Sequence, residues 1–253
     1  MTTVVMVHGA FCGGWAFERF RTAFEAAGHR VLTPDLRGHG PGDPRDAVKN
    51  LSMTDYAGDI GALCARLPEP PVLVGHSMGG LVAQMAARQA RPRALVLLAP
   101  SAPWGVTGSS FEEAATAFGV HMLGPFSSGA VEPDLALMNR YSLSRMPPGS
   151  RRPILERLRP ESARALRETL NWWLDPFMTT SVGAGALDVP ALAVAGSEDL
   201  VHPPATVRLT AGRVGAQFVE MPGMSHWLLG EPGWDAVAER VLEWLAREAR
   251  AAA

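Results

Sequence analysis

The chain has 253 residues, 47% hydrophobic and 19% charged, which suits one globular domain with a large core and room for an insertion. A formal net charge of −2 with no basic run argues against a nucleic-acid partner. No stretch is long and apolar enough to span a bilayer, and Met1-Thr2-Thr3 enters a strand pattern without the basic start and apolar run of a signal peptide, so a cytoplasmic protein with no membrane partner is expected.

Thr3–Val7 reads as a buried strand and runs into His8-Gly9-Ala10-Phe11-Cys12-Gly13-Gly14-Trp15. The glycines of that loop let backbone N–H groups turn toward a ligand. Apolar residues at helical spacing from Trp15 to Ala27 end at Gly28. A second strand follows over residues 29–33, then a loop dense in breakers, Pro34-Asp35-Leu36-Arg37-Gly38-His39-Gly40-Pro41. Met53–Leu67 reads as a helix that Ser52 or Thr54 could cap.

Val72-Leu73-Val74 then leads into Gly75-His76-Ser77-Met78-Gly79-Gly80, with a helical pattern immediately after it (Leu81, Val82, Met85, Ala86). A buried strand that turns sharply into a helix needs small residues on both sides of the bend, and it leaves the apex side chain exposed above the sheet. In that context Gly-x-Ser-x-Gly reads as a nucleophile elbow with Ser77 at its apex. The competing reading is a glycine-rich turn whose serine only caps the helix.

The helix to about Gln89 and the strand Ala94–Leu98 continue a strand–helix alternation, which predicts a doubly wound, mostly parallel α/β sheet. The alternation breaks over residues 101–187. That region shows no convincing strand, but helical pieces at 111–122, 133–143 and 162–174 and many large apolar residues. It is expected to form a helical cap on a core made of residues 1–100 and 188–253, and to supply a pocket through Trp104, His121, Met122, Phe126 and Trp172. Alternation resumes with a strand at 190–195, a helix at 203–212, a strand at 217–221 and a closing amphipathic helix from Trp234 to Ala246.

A serine hydroxyl needs a base within hydrogen-bond reach and an acid to orient that base. Loops at the carboxyl ends of the strands are the ones that reach Ser77. Asp199 follows the strand at 190–195 and is the predicted acid, with Glu198 as the fallback. An N-cap role for the next helix is the alternative for Asp199. His226 is the one histidine on the loop after the last strand and is the predicted base. The backbone N–H of Met78 and that of Ala10, or alternatively Phe11, would face the oxyanion. Phe11 and Trp227 join the expected pocket. Cys12, Cys64 and the histidines lack metal-ligand spacing, so no metal or cofactor is expected and the thiols read as reduced. Lys49 is the only lysine amid abundant arginine and alanine, a compositional bias of the kind a GC-rich bacterial genome produces.

These motifs together resemble the α/β-hydrolase superfamily across nearly the whole chain. The loop from His8 to Trp15 is similar to that of the plant methylesterase and hydroxynitrile lyase branch. The resemblance implies a Ser77/Asp199/His226 triad, a structural role for Asp35, Arg37 and His39, and a small-molecule ester-type substrate. It also implies a sheet of about six strands, because the family's usual N-terminal hairpin has no counterpart here. The lyases of that branch carry a lysine directly after the catalytic histidine. Here that residue is Trp227, which disfavours cyanohydrin cleavage. The leading expectation is hydrolysis of a hydrophobic carboxylic ester. Lactone, thioester and carbon–carbon hydrolysis use the same constellation, and a non-catalytic receptor on this fold is the remote alternative.

Overall fold

The computed structural model describes residues 1–108, 129–183 and 188–251. Its centre is a six-stranded, fully parallel sheet of β1 (Thr3–Val7), β2 (Arg30–Leu32), β3 (Val72–His76), β4 (Ala94–Leu98), β7 (Ala191–Gly196) and β8 (Gln217–Met221). Their order in the sheet is β2-β1-β3-β4-β7-β8. The chain starts at β1, steps outward to β2, then returns to the other side of β1 for β3. Strand order therefore reverses between β1 and β3, and in open α/β sheets the ligand crevice lies above such a switch point. The loop after β1 and the elbow after β3 flank that crevice.

Helices on both faces explain why the central strands are continuous apolar runs rather than alternating ones. On one face α1 (Glu18–Ala26) and the closing helix α8 (Trp234–Ala251) press Phe20, Phe24, Val241 and Trp244 onto Val4, Met6, Val74 and Val96. On the other, α2 (Met53–Ala65), α3 (Met78–Ala90) and α7 (Pro204–Val214) bury Tyr56, Ile60, Leu81 and Val207 against Val5, Leu73, Leu95 and Leu97. Ser52 caps α2 in a reciprocal box with Asp55, settling the choice between Ser52 and Thr54.

Between β4 and β7 the structure departs from the expected absence of strands. Two short strands, β5 (Ala130–Val131) and β6 (Glu161–Ser162), form an antiparallel pair. Around them lie α4 (Leu135–Leu137), which continues as a π-helical turn over Met138–Ser142, α5 (Pro148–Leu155) and α6 (Ala163–Leu170). The helical piece expected at 111–122 lies outside the described residues.

Buried carboxylates tie this segment to the body. Glu168 of α6 accepts from the Ser52 hydroxyl and the Met53 amide at 2.8 Å each, at the start of α2. Glu161 is fully buried and accepts from the Tyr56 hydroxyl at 2.7 Å and from His39 Nε2 at 3.1 Å. Burial opposes charge on both members of that pair. Their mutual attraction prevails, holding His39 above its ordinary value of 6.5 and Glu161 below its ordinary 4.5. His39 then contributes stability that is full below pH 6.5 and is lost as pH rises through its folded value. Glu161 contributes stability that is full above pH 4.5 and is lost as pH falls through its folded value. The melting-temperature gap between wild type and His39→Gln is therefore expected to be widest between pH 4.5 and 6.5 and to narrow toward pH 9. A gap independent of pH over that range would show that the pair is not ionised.

Among the described residues no helix is long and apolar enough to cross a membrane.

Candidate active site

Ser77 stands at the bend between β3 and α3 with φ +53° and ψ −125°, a conformation rare outside glycine. The strand-to-helix turn is tight enough that a Cβ on Gly75 would meet the Gly79 carbonyl oxygen at 2.3 Å. One on Gly79 would meet the carbonyl oxygens of Val7 and His8 at 2.3 Å each. Both clashes are with backbone, so only glycine fits. The strained apex is held from the β4 side, where Ser77 N–H donates to the Leu98 carbonyl and Ser101 N–H to the Ser77 carbonyl, each at 3.0 Å.

The predicted partners converge on it. His226 Nε2 lies 3.0 Å from Ser77 Oγ, and His226 Nδ1 lies 2.9 Å from Asp199 Oδ2. The other Asp199 oxygen accepts from the backbone N–H of Val201 and His202 at 2.8 and 2.9 Å, so the residue fastens its own loop while facing the imidazole. Burial opposes the Asp199 charge, but the His226 ring and its hydrogen bond outweigh that, and the carboxyl is held below its usual range. The fallback acid, Glu198, points outward and pairs with Arg145 at 3.4 Å.

The remaining histidines around the elbow are braces. His76 Nε2 donates to the His226 carbonyl at 2.9 Å, and its ring lies 5.0 Å from the His226 ring. Burial drives His76 and His8 down to about 3, so neither adds a positive charge beside His226. Cys12, in the loop after β1, is pushed up to about 12 by burial and stays a protonated thiol, a poor nucleophile.

The His226 loop is secured by Glu231, which is fully buried and accepts from both the N–H and the hydroxyl of Ser225. Sequence reasoning passed over this carboxylate, whose one signal was an acid in an otherwise apolar turn. Glu231→Ala leaves two buried donors without an acceptor. It is expected to lower stability by about 3 kcal/mol, a fall of roughly 6–12 °C in melting temperature for a chain of this size. A thermal melt unchanged within 2 °C or so would contradict that assignment.

Ser77 opens into a cavity of about 660 Å³. Ala10, Phe11 and Met78 line it beside Ser77, as do His226 and Trp227. Most of the remaining wall comes from the segment between β4 and β7: Leu137, Met138, Tyr141, Leu166 and Leu170. Two expected pocket residues are elsewhere. Trp104 and Trp172 do not line the cavity. They pack edge-to-face on each other with centroids 5.4 Å apart, and Trp172 packs likewise on Trp173, an arrangement the ring quadrupoles favour. His121, Met122 and Phe126 lie outside the described residues.

Sequence reasoning also missed the pair Ser101 and His202, which line the cavity with Oγ and Nε2 2.9 Å apart. Their positions just beyond β4 and three residues after Asp199, at the strand ends that face the crevice, were the available signal. Among the described residues no cluster of three or more His, Cys, Asp or Glu side chains is arranged to hold a metal ion.

A model of the alpha/beta hydrolase family matches residues 4–240, nearly the whole chain. The chain belongs to the alpha/beta hydrolase family. Among curated proteins it is 38% identical over 101 residues to a carbendazim hydrolyzing esterase of Nocardioides sp., covering 39% of this chain and 41% of that protein. It is 40% identical over 85 residues to Methylesterase 3 of Arabidopsis thaliana, covering 33% and 32%. These matches span about two-fifths or less of those relatives' own length. A monoacylglycerol lipase of Mycolicibacterium smegmatis aligns more extensively at 28% identity, over 96% of this chain and 87% of that one. The solved structure of the methylesterase MES16 from Arabidopsis superposes with a TM-score of 0.73 at 19% identity, covering 97% and 99% of the two chains, which shows a shared fold.

Proposed function

We infer that this hydrolase family member cleaves carboxylic esters with a hydrophobic acyl or alcohol part, using Ser77 as nucleophile, His226 as base and Asp199 as the orienting acid. The observation that carries this reading is the continuous relay Ser77–His226–Asp199, at 3.0 and 2.9 Å, opening into a large cavity with mostly apolar walls. The names of the relatives, among them a methylesterase, an esterase and a monoacylglycerol lipase, support an ester-type substrate.

In this reading His226 Nε2 takes the Ser77 proton as Oγ attacks the carbonyl carbon. Asp199 accepts a hydrogen bond from Nδ1–H, remains ionised and stabilises the imidazolium. The carbonyl oxygen becomes an oxyanion and accepts from the N–H groups of Ala10 and Met78, the latter at the positive end of α3. Collapse expels the alcohol, which takes its proton from His226. Water activated by the same imidazole then hydrolyses the acyl-Ser77 ester. The segment from 101 to 187 acts as the cap that selects the acyl or alcohol group over a core of residues 1–100 and 188–253.

Side-by-side turnover of p-nitrophenyl butyrate, γ-butyrolactone and butyryl-thiocholine tests the reaction class. The ester is expected to show the highest kcat/KM. A lactone or thioester turned over more than tenfold faster would move the assignment to that acyl class, and turnover of none of the three would contradict it.

A further inference from the structure

Phe11 has φ +64° without being glycine. A residue in that region stays there when its surroundings over-determine it, and such outliers gather at working sites. The determinant here comes from far along the chain. The Phe11 carbonyl accepts from the Arg159 N–H at 2.8 Å. Arg159 belongs to a strap over residues 157–162 that joins α5 to α6.

The strap is fastened at both ends. At one, Arg157 lies 4.4 Å over the Trp15 ring and pairs with Glu18 at 2.7 Å. At the other, the Ser162 hydroxyl donates to the Leu51 carbonyl at 2.6 Å. Between them, Glu161 is wholly buried and accepts from the Tyr56 hydroxyl, the Ser162 N–H and His39 Nε2. The His39 ring in turn lies 5.2 Å from that of His8. His8 accepts from Leu36 N–H through Nε2 and donates through Nδ1 to the Gly9 carbonyl, both at 2.9 Å. The loop that carries Ala10 and Phe11 is thus gripped at Gly9 through histidines and at Phe11 through the strap, and both grips lead to Glu161. The same strand pairs Glu161 with Val131, which lines the cavity.

We propose that Glu161 is a positioning residue for oxyanion stabilisation, anchoring the strap so that Arg159 N–H holds the Phe11 carbonyl and fixes the Ala10 N–H toward the carbonyl bound at Ser77. This rests on the reading of Ser77 as nucleophile. It gives the inserted segment a second role: it contributes pocket wall and also sets the geometry of a loop belonging to the sheet.

The full chain carrying Glu161→Gln tests it, with Arg159→Pro as the second variant, which removes the N–H together with the guanidinium that donates to the Asp43 carbonyl and leaves the carboxylate itself in place. An alkyl trifluoromethyl ketone, which adds to a serine as a tetrahedral oxyanion, probes the donors, and p-nitrophenyl butyrate gives kcat and KM. In both variants kcat is expected to fall at least about tenfold, with KM within about threefold. The trifluoromethyl ketone inhibition constant should rise by the same factor as KM/kcat, because both report the same oxyanion contacts. A merely structural role would shift the melting temperature without that parallel. A folded Glu161→Gln enzyme with wild-type kcat overturns the proposal. So does a fallen kcat with unchanged inhibitor affinity, and so does loss of the fold in both variants. Wild type inert to both the ester and the ketone overturns the Ser77 reading itself, whereas unchanged variants of an active, inhibitable wild type overturn this proposal alone.

Discussion

Ser77→Ala is expected to lower kcat/KM on a short p-nitrophenyl ester by at least about a thousandfold while leaving the fold intact. The hydroxyl is the only group at the elbow placed 3.0 Å from His226 Nε2 among the described residues, so no neighbour inherits its role. Ser101 is paired with His202 instead, and Cys12 is held protonated by burial. The loss should appear in kcat, because the cavity walls that bind substrate stay in place. Stability should change by less than about 1 kcal/mol, since the side chain is part-exposed and the elbow is held through its backbone. Activity surviving above roughly a thousandth of wild type would rule out Ser77 as the nucleophile.

Gly79→Ala is expected to be strongly destabilising. Its Cβ would sit 2.3 Å from the carbonyl oxygens of Val7 and His8, which are backbone atoms with nowhere to move while β1 and β3 remain paired. The expected loss is at least about 3 kcal/mol, a drop of roughly 6–12 °C in melting temperature. Catalysis should fall too, since α3 would have to pull away from the β1 loop, separating Met78 from Ala10. Gly58→Ala is the control. Nothing lies within 4 Å of a Cβ there, and the position is inside α2, so the change should be neutral or stabilising by up to about 1 kcal/mol. Similar melting temperatures for the two variants would contradict the close-approach argument.

The sheet and the elbow were legible because their causes are local. Apolar runs bounded by proline or glycine define β1, β3, β4 and β7, and the small residues at 75 and 79 are demanded by one bend. Asp199 and His226 were legible because topology limits which loops reach Ser77, so their order along the chain was enough.

The segment between β4 and β7 was harder because its causes are long-range. The helix α5 begins at Pro148 and contains Pro153, in a stretch that reads as breakers. Pro148 is harmless in the first turn, and the Arg151 guanidinium binds the carbonyls of Asn139, Ser144 and Met146, fastening the helix to the turn before it. The strands β5 and β6 have two residues each, too few to show a period. Glu161 gave no local sign, since its partners Tyr56 and His39 are brought to it only by the fold. Trp104 and Trp172 were expected at the pocket on size alone, and size does not say which large side chains face a cleft.

The reactivity of the Ser77 hydroxyl decides the proposed chemistry. Incubating the full chain with a fluorophosphonate and mapping the adduct by peptide mass spectrometry tests it without any assumption about the natural substrate. A single adduct on Ser77, formed far more slowly in His226→Ala and absent in Ser77→Ala, is the predicted result. No adduct, or one on another residue such as Ser101, would contradict it.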